Sequence, residues 1–123
     1  MLTNEIRETI GKVVEILADR KAEDIRVIDI SEISVISDCF VIAHANNPNQ
    51  LRALVETVEE KLEASGIVHH QMEGNFKSGW VLIDYGDFIL HIFDRENRLF
   101  YNLERMWRDG KEIDVRAWTG GVA

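Results

Sequence analysis

The spacing of hydrophobic positions changes several times along the chain, and each spacing predicts a different element. Apolar residues recur at a helical period of about 3.6 over residues 3–21, where Thr3 is placed to cap the helix. The stretch DIRVIDI at 24–30 is rich in Val and Ile, as strands are. The stretch DCFVIAHA at 38–45 is apolar almost throughout, which is typical of a central strand. The pattern therefore predicts a helix followed by two strands.

A second helix is predicted from the signals at its two ends. Asn47 is a favourable cap, Pro48 suits the first turn, and Gly66 suits the terminus. The stretch IVHHQME at 67–73 then predicts a third strand, which lies near a sheet edge because it is poorer in apolar residues. Together these segments predict a strand–helix–strand crossover.

The C-terminal half predicts a hairpin and a last helix. WVLIDY and FILHIF flank a Gly86-Asp87 turn, and apolar residues recur at helical spacing over 95–109. Residues 111–123 lack periodicity, which predicts a flexible tail with Trp118 as its bulky anchor. We therefore expect an α/β fold over residues 1–110, a mixed sheet of about five strands flanked by helices.

Charge and composition narrow the classes of function. The chain has 123 residues, with 22 acids against 14 lysines and arginines and a net charge of −8. That balance disfavours a protein that grips nucleic acid through its phosphates and suits a basic protein partner, although acids also simply confer solubility. A single cysteine excludes an internal disulfide, and neither a leader nor a membrane-spanning apolar run is visible. The expected location is the cytoplasm.

Candidate chemistry is sparse. Asp84 and Asp87 could bind a divalent cation with Asp94 or Glu96 as a third ligand. A Gly-Asp turn alone explains Asp87. Asp84 lies inside an apolar strand, where an acid must be paired or exposed. Cys39 and His44 would lie on opposite faces of one strand, which prevents joint metal binding. Neither Gly-x-Ser-x-Gly nor a glycine-rich phosphate loop occurs. We therefore predict no catalytic residue, no metal and no cofactor.

Aromatic residues near charges suggest binding instead. Trp80 opens a strand after a glycine-flanked loop, and Tyr101 lies at the edge of the last helix's apolar stripe, beside Arg98. Such aromatic residues with a charged rim are typical interface anchors. The alternative is that both rings cap the edge of the core, and the residues alone leave the two readings equal.

Several spaced motifs resemble the ribosomal silencing factor family, also called Iojap-related. The resemblance covers residues 3–108 and includes the SDC strand start, a Glu-Gly pair, a Trp-x-x-x-Asp-x-Gly-Asp run, a histidine, and an Arg-x-x-Tyr-x-Leu-Glu-x-x-Trp helix, at 37–39, 73–74, 80–87, 91 and 98–107 respectively. The family implies a fold resembling nucleotidyltransferases. The chain has no Gly-Ser dipeptide for phosphate, so the resemblance implies loss of transferase chemistry.

The resemblance further implies binding to the large ribosomal subunit through its ribosomal protein fourteen. Binding there would block joining with the small subunit and repress translation when nutrients are scarce, with little direct contact to nucleic acid. The implied contacts are two aromatic anchors, three acids that face basic side chains and two flanking charges: Trp80 and Tyr101; Glu73, Asp84 and Asp87; Arg98 and Glu104.

Several alternatives to this interpretation as a silencing factor stay open. An internal pair between the two flanking charges, Arg98 and Glu104, is equally consistent with the sequence. His91, Cys39 and Trp107 are assigned to the core. A nucleotide-binding or nucleotidyltransferase-like enzyme is the alternative function, and an apolar sheet edge would allow a homodimer.

Overall fold

The structure, a computed structural model, describes residues 3–101 and 108–119, with the side chains of 99–101 outside the description. Within these ranges the chain alternates helices and strands. The helices are α1 (Asn4–Asp19), α2 (Pro48–Ala64), α3 (Arg95–Tyr101) and the short α4 (Arg116–Thr119). The strands are β1 (Glu23–Asp29), β2 (Cys39–Ala45), β3 (Gln71–Asn75), β4 (Trp80–Asp84), β5 (Phe88–Asp94) and β6 (Lys111–Ile113).

The two long helices begin and end as their capping signals predict. The Thr3 hydroxyl accepts from the Ile6 amide at 3.2 Å, and the Asn47 side chain accepts from the Gln50 amide at 2.8 Å. Both bonds satisfy donors that have no partner inside the helix. Gly66 follows α2 with a φ of +82°, a conformation that glycine adopts without a steric penalty.

The six strands form one mixed sheet in the order β3-β4-β5-β2-β1-β6. Only β2 and β5 pair in parallel, and every other neighbouring pair is antiparallel. Because β3 is antiparallel to β4, β4 is antiparallel to β5, and β5 is parallel to β2, strand β3 runs parallel to β2 with β4 and β5 between them. The predicted α/β class is confirmed, and α2 connects β2 to β3, two parallel strands of the same sheet that are not neighbours. No helix within the described ranges is long and apolar enough to cross a membrane.

The start of β3 differs from its prediction. The strand begins at Gln71 rather than at residue 67, because Ile67 belongs to the turn that closes α2. Its amide donates to the Leu62 carbonyl at 2.8 Å, and its side chain packs partly buried against the core. The apolar start of IVHHQME therefore reflects the end of a helix rather than a strand.

Residues 111–119 correct the prediction of a loose tail. Ile113 pairs with Val27, so β6 extends the sheet to six strands. In α4, Trp118 packs so closely on Gly11 of α1 that a Cβ there would lie 2.6 Å from the indole Cδ1. A three-residue strand is too short to show alternation, and the tryptophan contact joins distant parts of the chain. Neither could be read from local pattern.

The sheet has two apolar faces with different covers. Helices α1 and α2 pack on the first face, which includes Cys39; this thiol is fully buried, and burial raises its pKa to about 12. His44 lies on the second face, as predicted from the strand period. The second face carries a smaller cluster of buried residues, Ile28, Ile30, Phe40, Ile42, Ile89 and Phe93. Trp80 and Leu82 pack partly buried against this cluster.

Candidate functional site

Strand alternation separates β4 into a buried row and a surface row. Val81 and Ile83 are buried with the helix-covered core, whereas Trp80, Leu82 and Asp84 are each partly buried on the second face. The β3 residues directly opposite these three are exposed, and paired residues share a face. We call this surface the β3–β4 face, defined by Gln71, Glu73, Asn75, Trp80, Leu82 and Asp84.

Ring contacts and one hydrogen bond fix the position of the Trp80 side chain. Its indole ring is nearly parallel to two neighbouring rings. The centroid distance and the angle between planes are 6.2 Å and 9° for Phe93, and 6.3 Å and 5° for His91. The indole Nε1–H also donates to His91 Nδ1 at 3.4 Å. The ring is therefore ordered by the protein while part of its surface stays open, an arrangement suited to an interface anchor.

His91 is the core histidine that the sequence predicted. It is 5% exposed, and burial lowers its pKa to about 4, so the ring is neutral at physiological pH. Because Nδ1 accepts from Trp80, the proton lies on Nε2. Nε2 is buried without a hydrogen-bond partner in the described part of the chain. The neutral ring thus serves as an acceptor for the tryptophan.

This burial predicts a pH-dependent stability. The folded pKa of His91 is below its ordinary value of 6.5, so the unfolded chain takes up the proton first. The free energy of unfolding is therefore unaffected above pH 6.5 and decreases by about 3 kcal/mol as the pH falls towards 4. Denaturant unfolding of the wild type and of His91→Phe across this range would show it. Because only the wild type carries the histidine, the difference in unfolding free energy between the two proteins should change by about 3 kcal/mol over this range. Parallel pH curves would contradict the assignment.

The acids of the hairpin have structural roles that the sequence only partly anticipated. Asp84 Oδ1 accepts from the Gly86 amide at 2.7 Å, which closes the turn. Asp94 Oδ1 accepts from the Asn97 amide at 2.8 Å and caps α3. The exposed Asp87 lies at the hairpin tip, beyond the end of β4. In the described residues, no three His, Cys, Asp or Glu side chains converge as metal ligands.

Arg98 lies inside the fold rather than on its surface. Its side chain is 7% exposed, and its guanidinium contacts Asp24 at 3.3 Å and His44 Nδ1 at 3.2 Å. Since arginine only donates, His44 accepts at Nδ1 and donates from Nε2 to Glu23 at 2.9 Å. Arg98 thus forms an internal ion pair with Asp24, a partner that the sequence did not predict, whereas the predicted pair with Glu104 lies outside the described residues.

Glu23 is the point where this network meets other segments. Hydrogen bonds from Asn46, Arg95 and His44 lower its pKa to about 2. The carboxylate therefore ties the start of β1 to the β2–α2 connection and to the first residue of α3. This fixes the position of α3 against the second face of the sheet.

The structure brings together part of the predicted contact set. Trp80, Asp84 and Glu73 share the β3–β4 face, and Asp87 extends it at the hairpin tip. The described part of the chain does not include Glu104, Trp107 or the side chain of Tyr101. Sequence reasoning did not include Leu82, although its spacing of two from Trp80 on a strand indicates the same face.

Comparisons with known proteins agree with the resemblance seen in the sequence. A family model described as "Ribosomal silencing factor during starvation" matches residues 3–121, which includes the segment 111–121. The ribosomal silencing factor of Bacillus subtilis is 37% identical over 97 residues, covering 79% of this chain and 82% of the relative. That of Zymomonas mobilis is 38% identical over 102 residues, covering 83% of this chain and 77% of the relative.

More distant similarities extend to plants and to solved structures. A mitochondrial Iojap-related protein of Arabidopsis thaliana is 34% identical over 103 residues, which is 80% of this chain and 56% of that protein. A crystal structure of a protein from Chromobacterium violaceum superposes with a TM-score of 0.80 at 29% identity, covering 89% of this chain and 90% of the other. The architecture described above is therefore shared with a related chain.

Proposed function

The chain belongs to the ribosomal silencing factor family, and from that premise we propose that it binds ribosomal protein fourteen of the large subunit and blocks joining with the small subunit. Its relatives bear the name of silencing factors, so its role is regulatory and concerns the ribosome. The family description refers to starvation, which supports repression of translation under nutrient limitation in the cytoplasm. The proposed block is steric and needs no chemical step.

The observation that carries the proposal is Trp80, whose ordered and partly exposed side chain lies with acidic residues on the β3–β4 face. Glu73 is exposed directly opposite Leu82, and Asp84 lies at the far end of the same strand row. A buried aromatic anchor within a charged rim is the usual anatomy of a protein interface. The acids would meet basic side chains of the ribosomal protein.

The net charge of −8 further favours contact with protein rather than RNA. Ribosomal RNA is densely negative, so it repels an acidic domain except where a basic protein is exposed. Electrostatic attraction then guides the approach, and local contacts supply the affinity. Within the proposed contact set, Trp80 and Tyr101 act as anchors, and Glu104 stays a predicted flank. Arg98 supports α3 from inside.

The rim charge predicts a modest, salt-dependent effect. Glu73→Gln should weaken binding to large subunits by about two- to fivefold, since exposed charge pairs contribute up to about 1 kcal/mol. The matched control is Glu60→Gln on the exposed outer face of α2, which should bind like the wild type. Affinities measured over a series of salt concentrations test both. Equal losses for the two variants would mean that only net charge matters.

The proposal as a whole is tested by sedimentation of purified large subunits with the protein, followed by addition of small subunits. We expect the wild type to sediment with large subunits and to reduce the fraction of joined ribosomes. Binding without that reduction would reject the steric block. Failure to bind would reject the proposal and favour the nucleotide-binding alternative, for which a nucleotide should then raise the melting temperature.

A further inference from the structure

Large exposed hydrophobic side chains concentrate at one end of the sheet. In the described part of the chain they are Ile33, Val35, Ile36 and Val68, with 46%, 105%, 69% and 59% of their surface exposed. Single exposed aliphatic residues need no explanation, but a cluster usually marks a binding surface. The first three lie in the β1–β2 connection and the fourth lies between α2 and β3. We call these four residues the apolar end.

Both connections pack beside the tip of the β4–β5 hairpin. The Ser37 hydroxyl donates to the Gly86 carbonyl at 3.0 Å, and the Asp38 amide donates to the Asp87 carbonyl at 3.1 Å. On the other side, a Cβ at Gly86 would lie 2.7 Å from the His70 ring. The two connections that carry the apolar residues therefore flank one turn.

The β1–β2 connection has internal structure that presents its apolar residues. The amides of Ile33 and Ser34 donate to the carbonyl of the fully buried Ile30, at 3.0 and 2.9 Å. The Ile36 amide donates to the Ser34 hydroxyl at 3.1 Å. These bonds hold the loop while Val35 remains fully exposed, so a partner would gain apolar burial with little further ordering of the loop.

The charges around the apolar end identify the kind of partner. Glu32 and Asp87 are exposed and Asp38 is partly exposed, while the nearby Lys111 is already paired with Glu32 at 3.5 Å. A second copy of the chain would bring these acids against one another, and like charges at an interface are unfavourable. A basic protein surface with aliphatic side chains complements both the charge and the apolar residues.

We infer that the apolar end is a second contact surface for the basic ribosomal protein that the β3–β4 face binds, an inference that rests on the proposed function. The two surfaces are continuous along one strand and its turn. Trp80 lies at the start of β4, Asp84 at its end and Asp87 in the turn that the apolar end flanks. The partner therefore contacts the sheet face and this end of the sheet together.

The test compares the full chain with the double variant Val35→Ser/Ile36→Ser. We expect the affinity for purified large subunits to fall by about tenfold or more with an unchanged melting temperature, because both side chains are exposed. Ala53→Ser, on the exposed surface of α2, is the control and should bind like the wild type.

The outcomes separate the inference from the proposal on which it rests. If the wild type binds and the double variant binds equally well, the apolar end is not a contact surface. If the wild type does not bind, the proposed function itself fails. Sedimentation of the protein alone tests whether a second copy of the chain occupies the apolar end. A dimeric wild type beside a monomeric double variant would assign the apolar end to self-association and overturn the inference.

Discussion

Trp80→Ala is expected to weaken binding to large ribosomal subunits by about 30-fold or more. Truncation of an aromatic anchor at the centre of an interface typically costs about 2 kcal/mol or more, which corresponds to that ratio. The indole is already ordered by its hydrogen bond to His91 and its contact with Phe93. Binding therefore loses little side-chain entropy at this position, and most of the gain from burial appears as affinity.

Two further variants make this result interpretable. Trp118→Ala removes the same side chain from the contact with Gly11, on the helix-covered side of the sheet, and should lower the melting temperature while leaving affinity unchanged. Trp80→Phe keeps an aromatic ring, although a smaller one, and loses the Nε1–H donor to His91, so an intermediate affinity is expected. Equal affinity of Trp80→Ala and the wild type, measured on folded protein, would place the anchor elsewhere.

Local signals predicted those elements whose stabilising contacts are close in sequence. The caps at Thr3 and Asn47 act within three residues, and the uninterrupted apolar run of β2 shows a central strand directly. The loop before Trp80 and the strand period after it are local features that single this residue out, but they leave open whether its ring is an interface anchor or caps the edge of the core.

The rest of the site depends on contacts between distant parts of the chain. Arg98 pairs with Asp24, which lies 74 positions earlier, so its burial follows only from the docking of α3 on the sheet. The β6 strand exists because β1 offers it an edge. His91 could be assigned to the core from its strand, but its role as acceptor for Trp80 requires the register of β4 against β5.

Gly74 links the β3–β4 face to the backbone geometry beneath it. Its φ is +86°, and a Cβ at this position would overlap the Trp80 carbonyl oxygen in the paired strand. An alanine here must therefore move β3 away from β4 or displace the start of β4, since the atom that it meets belongs to the backbone and not to a flexible side chain. This gives a physical reason for a glycine in the Glu-Gly pair that sequence analysis singled out.

Gly74→Ala is accordingly expected to destabilise the protein by about 3 kcal/mol or more and to weaken ribosome binding as well. The left-handed conformation alone costs a residue with a Cβ about 1–2 kcal/mol, and the steric overlap adds the loss of β3 pairing. Gly66→Ala is a closely matched control, because its φ is +82° and its Cβ would meet no atom within 4 Å. Denaturant unfolding of the two variants measures the difference.

The comparison isolates the close approach of β3 to Trp80 from the backbone strain that both glycines share. Gly66→Ala should lose only the stability that corresponds to the backbone strain. It should bind large subunits like the wild type, since Gly66 follows α2 and lies outside the β3–β4 face. Gly74→Ala should lose affinity even under conditions where it is fully folded, because Trp80 begins the strand that is displaced. Equal losses of stability in the two variants would show that the strands can separate without cost, and the edge would then not hold Trp80 in place.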